Sequence, residues 1–366
     1  MALYLHFPFC RRKCRYCSFV SCAGREADIP VYINALKAEI SRCPGGESVG
    51  SVYFGGGTPS VLTPGQIGDV LATVRSHYSL SSGAEISVEA NPGTVDFPYL
   101  TEIRRTGINR LSIGLQSLND DELKLLGRIH NSYQAEEAFQ QARQAGFDNV
   151  NLDFIYGLPG QSLADWRRTL HGALELSPEH VSLYALTLEP GTPMWQDVES
   201  GRLPAIDPDL AADQYELAED MLAVHGYQHY EISNWARPGY ECRHNLVYWR
   251  NGPYRGVGVA AHSCLDGRRF ANTDSLDEYL AAFSRGELPA KALDEEIGSE
   301  LRSAESAILG LRLESGISAD NIKGSYRQTV AEMTDLGLME SSGGNIRLTR
   351  RGRLLSNEVF CRFLPD

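Results

Sequence analysis

Six short apolar runs, Leu3 to Phe7, Ser51 to Phe54, Glu85 to Ala90, Arg110 to Leu115, Val150 to Ile155 and Val181 to Leu186, recur along the first half of the chain with turn or glycine signals at their ends. Between them lie stretches such as Val31 to Ile40, Pro64 to Val74 and Ser132 to Ala145. Their apolar residues return every three or four positions opposite a polar face, as in helices that cover a sheet. Strands alternating with helices at this spacing predict βαβ connections and a parallel sheet. Six units fall short of the eightfold barrel. The expected fold class is α/β, a partial (β/α)6 barrel.

A polar or glycine-rich signature follows each of the first five runs: three cysteines, then GGGTPS, EANP, GLQS and DFIYGLP. In parallel barrels the C-terminal strand ends and the loops after them carry the chemistry, so five separate segments are expected to converge on one mouth. Past about Asp197 the pattern changes to a helix-like stretch, Pro208 to His225, and an aromatic, histidine-containing region, Tyr227 to Asn272. From about Leu293, two amphipathic stretches around Leu301 to Leu313 and Val330 to Leu336 precede a hairpin-like piece, Leu338 to Leu348. That outlines a smaller winged-helix-like α+β module. The division expected is 1–197 for the barrel, 198–292 for an extension and 293–366 for the module.

A winged helix can bind DNA or merely pack. With 34 Lys and Arg against 47 Asp and Glu, a net charge of -13, the chain lacks the cationic surplus that phosphate neutralisation needs, so packing is favoured and no nucleic-acid partner is expected. No apolar run approaches the ~18 residues that cross a bilayer. The start, MALYLHFPFC, lacks a basic flank before an apolar stretch, which argues against a secretory signal and places the protein in the cytoplasm.

Cys10-x3-Cys14-x2-Cys17 is the sharpest chemical signal among the eight cysteines. Three thiolates on one tight loop can hold three irons of a cubane and leave the fourth open, unlike four-cysteine electron-transfer clusters. A zinc knuckle is the plain alternative, but zinc wants a fourth donor with its own pairing; Cys22 is the nearest one. Arg11, Arg12, Lys13 and Arg15 crowd the same loop, where cations would favour thiolates. Cys43, Cys242, Cys264 and Cys361 are scattered, as buried small apolar residues are.

The segment YLHFPFCRRKCRYCSF resembles the N-terminal signature of the radical S-adenosylmethionine superfamily, in particular its coproporphyrinogen dehydrogenase and haem chaperone branch. The resemblance continues through GGGTPS, EANP, SIGLQSL, LGRIH and NLDFIYGLPGQ in that order. It implies a [4Fe-4S] cluster on Cys10, Cys14 and Cys17, whose open iron binds the amino and carboxylate groups of S-adenosylmethionine, with the cofactor carrying the radical chemistry. It further implies that Tyr4, Gly56, Gly57, Thr58, Glu89, Gln116, Arg128 and Asp153 contact that cofactor. Each also reads physically. The glycines permit close backbone approach, Glu89 and Asp153 are carboxylates at strand ends, and Gln116 and Arg128 can engage hydroxyls or a carboxylate. Taken alone, each would more often be a surface group or a turn residue.

His244-Asn245-Leu246-Val247-Tyr248-Trp249 is the second signal. An imidazole among aromatic rings suits an axial haem ligand, and a satisfied core histidine is the plain alternative. HNLVYW is similar to the HNxxYW motif of the haem chaperones, which implies haem as a third cofactor at His244. Within the branch, the dehydrogenase type has a further cysteine two positions after the third cluster ligand and a longer N-terminal extension. Here that position is Phe19 and nine residues precede Cys10. Both departures favour a carrier of haem that hands it to acceptor proteins, respiratory ones among the candidates, over an enzyme that decarboxylates coproporphyrinogen III. A porphyrin-modifying radical enzyme is a third reading. Homodimerisation, and peripheral contact with the inner membrane through partners, stay open.

Overall fold

The computed structural model describes residues 1–322 and 324–365. Each apolar run forms a strand: β1 Ala2–Phe7, β2 Ser48–Gly56, β3 Ser79–Ala90, β4 Arg110–Gln116, β5 Val150–Tyr156 and β6 His180–Ala185. The six pair in parallel and in chain order. Helices α1 Ile29–Arg42, α2 Pro64–His77, α3 Phe97–Thr106, α4 Ser132–Gln144 and α5 Leu163–Leu176 lie in the connections. Their starts are set locally. Thr63, Asn131 and Ser162 form capping boxes with Gln66, Gln134 and Asp165, each satisfying amides that the first turn leaves without partners.

The strands alternate strictly. Leu3, Leu5, Phe7, Val52, Phe54, Val88, Leu111, Ile113, Leu152 and Phe154 are buried in the main core with the apolar faces of the helices. The intervening residues form a polar inner face tied by hydrogen bonds: Tyr53 Oη donates to Glu89 Oε1 at 2.9 Å, Ser112 Oγ to Asp153 Oδ2 at 2.9 Å, and Asn151 Nδ2 to Ser112 Oγ at 2.7 Å. Successive strand residues point to opposite faces, so this alternation makes the barrel interior a lined chamber.

Residues beyond 197 extend the same sheet at both edges. β7 Gln228–Glu231 and β8 Asn234–Ala236 add to β6, with β8 antiparallel to it. β9 Tyr254–Val257 runs parallel to β1 on its other side, and β10 His262–Leu265, β11 Arg268–Asn272 and β12 Lys291–Glu296 continue antiparallel. The composition change near Asp197 is therefore not a break in the sheet, which counts twelve strands among the described residues. Helix α6 Pro208–Val224 packs on α5. The short helix α7 Arg243–Trp249 lies against β2, where the Glu85 carboxylate accepts from Arg243 N at 3.0 Å and His244 N at 3.1 Å.

The C-terminal module has a core of its own, including Leu311, Met333, Ile346, Leu348 and Phe363. It comprises α8 Ser299–Leu311, α9 Arg327–Asp335 and the hairpin β13 Met339–Ser342 and β14 Asn345–Leu348. Of the arginines after the first helix, Arg312, Arg350 and Arg353 reach carboxylates outside the module, while Arg347 pairs only within it. Arg312 pairs with Glu231, Arg347 with Glu314 and Glu340, Arg350 with Glu219 and Asp220, and Arg353 with Glu219 and Glu314. No helix of the described residues is long and apolar enough to cross a membrane.

Glu85 is buried and caps a helix that the chain reaches more than 150 positions later. Removing it strands two amides, each a cost of the cap and desolvation kind. Chemical denaturation is expected to show Glu85→Ala less stable than the parent by roughly 2–4 kcal/mol, with the exposed control Glu102→Ala within about 0.5 kcal/mol.

Candidate functional site

β1 ends directly in the cysteine loop. Cys10 is buried, and Cys14 and Cys17 are partly buried. The loop is stitched by its own backbone and by the basic side chains. Cys17 N donates to Cys14 O at 3.3 Å and Arg15 N to Leu126 O at 3.1 Å; Arg11 Nη1 donates to Gly93 O at 2.6 Å, Lys13 Nζ to Phe19 O at 3.1 Å, and Arg15 pairs with Asp197. The cations thus hold the loop against three other segments. Their expected effect on the thiols is outweighed: burial pushes the Cys10 and Cys17 thiols up, with nearby Lys13 opposing only part of the rise at Cys17. Cys22 stands apart. Its amide donates to Pro8 O at 2.7 Å and its sulfur sits 3.6 Å from the same carbonyl, closing the loop as a structural residue.

The glycine triplet at the end of β2 lies beneath this loop. A Cβ on Gly57 would stand 2.8 Å from Phe9 O and 3.0 Å from Cys10 Sγ, and one on Gly56, whose φ is +117°, would stand 2.7 Å from the His6 ring. Gly57 N and Thr58 N donate to Phe7 O and Phe9 O, both at 2.8 Å, and Thr58 Oγ1 lies 3.5 Å from Cys10 Sγ. The close approach that the glycines permit is thus to the cysteine loop itself.

The other expected residues gather on the inner face and its rim. Glu89 accepts from Tyr53 and, at 3.2 Å, from Gly56 N. Desolvation in the barrel, then the neighbouring Asp153 carboxylate, push its carboxyl up to about 7. Asp153 is raised for the same first reason, against hydrogen bonds from Ser112, Asn151 and Ser182. Arg128 donates to Cys14 Sγ at 3.2 Å and Gly114 O at 2.7 Å. Gln116 ends β4 with φ +68°, a left-handed conformation that non-glycine residues hold only where the surroundings impose it. Tyr4 Oη bonds His6 Nδ1 at 3.1 Å, and the two rings Tyr4 and Tyr53 stack at 6.3 Å.

Several residues here were not singled out from the sequence. His6 bridges from Tyr4 to Val20 O at 2.9 Å, fixing the far side of the cysteine loop. His130 joins Asn91 Oδ1 and Leu115 O, both at 3.1 Å. Arg110 is a fully buried cation on the inner face. Strand alternation could have found His6, in phase with Tyr4, and Arg110, in phase with Ser112 and Gln116; His130 lies in a loop, where no such signal exists.

His244 lies away from the cysteine loop, in the base of the barrel. Its imidazole stacks on Tyr53 at 4.9 Å, with Nδ1 3.0 Å from Ser51 Oγ and Nε2 2.8 Å from Tyr248 Oη. It is 1 % exposed, and burial, then Arg110, hold its pKa down at about 3. Both nitrogens of this neutral ring are engaged, so iron could reach either one only after a hydroxyl lets go. The structure gathers Gly56, Gly57, Thr58, Glu89, Gln116, Arg128 and Asp153 toward the cysteine end of the chamber and His244 at its base, with Tyr4 between them, its ring 6.0 Å from His6 and 6.4 Å from His244.

The donor set suits the groups the sequence implies. Among the described residues no three His, Cys, Asp or Glu side chains could share one ion; a cubane gives each thiolate its own iron. Arg110 Nε, Arg128 Nε and Ser87 Oγ are buried without partners, donors that a polar ligand in the chamber would satisfy. Two carboxyls favour a cationic one.

Comparison with known proteins gives the family. Residues 4–172 match the Radical SAM superfamily and residues 299–355 the HemN C-terminal domain. The chain is 34% identical, over 99% of its length and 99% of the relative's, to "Heme chaperone HemW" of Bacillus subtilis (strain 168). It is 35% identical to the protein of that name from Escherichia coli (strain K12), over 100% and 98%. The solved coproporphyrinogen III oxidase HemN from Escherichia coli, a radical SAM enzyme, superposes with a TM-score of 0.85 at 25% identity, covering 99% of this chain and 89% of that one.

Two outcomes are expected. After anaerobic reconstitution, Cys10→Ser, Cys14→Ser and Cys17→Ser each lose iron and sulfide, Cys22→Ser keeps both, and Gly57→Ala loses more than half; iron and sulfide analysis reads all five. In the cofactor-free protein, Glu89 has a folded pKa raised from 4.5 to about 7. Between those values the folded state holds a proton that the unfolded state has released, so stability falls as pH rises through this window. Thermal unfolding from pH 4.5 to 8 is expected to fall less steeply in Glu89→Gln; equal slopes would contradict the assignment.

Proposed function

From the fact that this chain belongs to the radical S-adenosylmethionine superfamily, and within it to the HemW family, we propose that it is a haem carrier that takes up haem and passes it to acceptor proteins. In this reading Cys10, Cys14 and Cys17 hold a [4Fe-4S] cluster, and the chamber beside them holds S-adenosylmethionine. The cluster supplies electrons and an open iron when bound, and the protein's own residues do the rest. Gly57 and Thr58 seat the Cys10 loop, Arg128 holds a positive charge against Cys14, and Tyr4, Gly56, Glu89, Gln116 and Asp153 offer the ligand its polar contacts. Glu89, poised near neutral pH, would be drawn into its charged form by a cationic ligand.

The observation that carries the carrier reading is the full-length similarity to proteins named heme chaperones, supported by Phe19. This residue stands where the dehydrogenase type has a cysteine, and it is 68% exposed with no thiol to offer.

His244 contributes to haem binding by holding α7 in place. Its imidazole bridges β2 at Ser51 to Tyr248 of its own helix, so it fixes where the rest of HNLVYW points. Glutamine can replace both hydrogen bonds but makes a poor ligand to haem iron. The test takes one anaerobically reconstituted preparation and reads haem stoichiometry and turnover of coproporphyrinogen III. The parent should bind haem and produce no protoporphyrinogen; turnover would replace the carrier reading with the dehydrogenase. His244→Ala should weaken haem binding about tenfold and His244→Gln restore it. Full retention in His244→Ala removes the residue from haem binding, and loss in both variants moves it onto the iron.

A further inference from the structure

The far side of α7 from the barrel borders a groove of about 530 Å³ between that helix and the C-terminal module, a volume typical of small-molecule sites. Trp249, the last residue of HNLVYW, lines one side, Tyr326 of the module contributes aromatic surface, and the buried Phe363 backs the groove from the module's core. Ser303, Ala307 and Gly310, at successive turns of α8, also line it; residues spaced by three and four share one helix face, and these three are small enough to leave room for a flat body.

The charge of the groove is unlike that of the chain. Against a net charge of -13, no aspartate or glutamate is among its described lining residues, whereas Arg250 and Arg302 are. The surrounding arginines are committed: Arg269 to Glu305, Arg312 to Glu231, Arg347 and Arg353 to Glu314. Arg250 and Arg302 form no ion pair among the described residues and are exposed at the rim. A second unmet group lies here. Trp249 Nε1 is buried without a hydrogen-bond partner, while Arg312 Cζ sits 4.3 Å from the Trp249 ring centroid and fixes the indole.

An aromatic groove lined by small residues, with two unpaired guanidiniums at its edge, fits a planar apolar macrocycle that carries carboxylates. Resting on the carrier reading above, we infer that this groove is the haem site: the ring lies beside Trp249 between α7 and the module, with its two propionates on Arg250 and Arg302. No histidine, cysteine or methionine lines the groove among the described residues. The macrocycle is therefore held by its faces and carboxylates, and the iron stays exchangeable, as handing haem to an acceptor requires. The module's role follows, since it supplies Arg302 and half of the groove.

The test titrates the full-length reconstituted protein with haemin, haemin dimethyl ester and metal-free protoporphyrin IX, read by absorbance and tryptophan quenching. The parent is expected to bind haemin and protoporphyrin IX with similar affinity and the ester about tenfold more weakly. The double variant Arg250→Ala/Arg302→Ala should bind haemin about as weakly as the ester, without further loss for the ester itself. Both side chains are exposed, so its thermal transition should match the parent's. Equal binding of haemin and ester to the parent, or a double variant that still discriminates between them, overturns the inference. A parent that binds no haemin at all overturns the carrier reading instead.

Discussion

A charge taken from water must find a partner, and the inner face of this barrel carries three such groups, Glu85, Arg110 and Asp153, with Glu89 at their rim. The fold answers that demand differently at its two ends. At the base, the carboxylate of Glu85 is spent on the amides of Arg243 and His244, so a helix from a distant part of the chain becomes the floor. At the top, Glu89 and Asp153 have only hydroxyl, amide and backbone donors, and desolvation leaves both carboxyls raised. One end is neutralised by protein and the other is left for a ligand. The cysteine loop and the glycine triplet, which follow the C-terminal ends of β1 and β2, lie at the end left open.

The outer half of this arrangement could be read from the sequence because it is local. Apolar runs, capping boxes and the glycines before α2 each declare themselves within a few residues, and the six strands, the helices between them and the hairpin of the module fall where periodicity puts them. The cysteine motif was legible for the same reason. Its loop closure through Cys22 was not, since a thiol facing a carbonyl leaves no pattern. The inner face was also written in the sequence, as alternation within each strand, but polar residues there look like solvent-facing ones until the barrel curls them inward.

What the sequence could not disclose is non-local. That β9 lies beside β1, some 250 positions away, depends on an edge the barrel leaves open, and no feature of either strand specifies the partner. The same holds for His244. Its surroundings in the chain are aromatic whichever side of the barrel it occupies, and only the packed structure shows its two nitrogens satisfied by Ser51 and Tyr248. Composition bears on the module more directly. The winged-helix outline left DNA binding open and the acidic balance favoured packing; Arg347, Arg350 and Arg353 are in fact paired with carboxylates, several of them on α6.

The two ends of the barrel are joined by one unbroken line of contacts. His244 stacks on Tyr53, Tyr53 donates to Glu89, Glu89 accepts from Gly56, and the glycine triplet bears on Cys10. Contiguity is not coupling, which needs an element with two arrangements that both sites bias. Glu89 meets part of that condition. Its carboxyl is raised to about 7 by burial and the neighbouring Asp153, and a hydrogen bond to a carboxylate is stronger than one to its neutral acid. Tyr53 is also the ring against which His244 holds α7. Tyr53 is thus the one strut that both ends share, donating to the carboxyl at the rim while its ring carries the imidazole that braces α7.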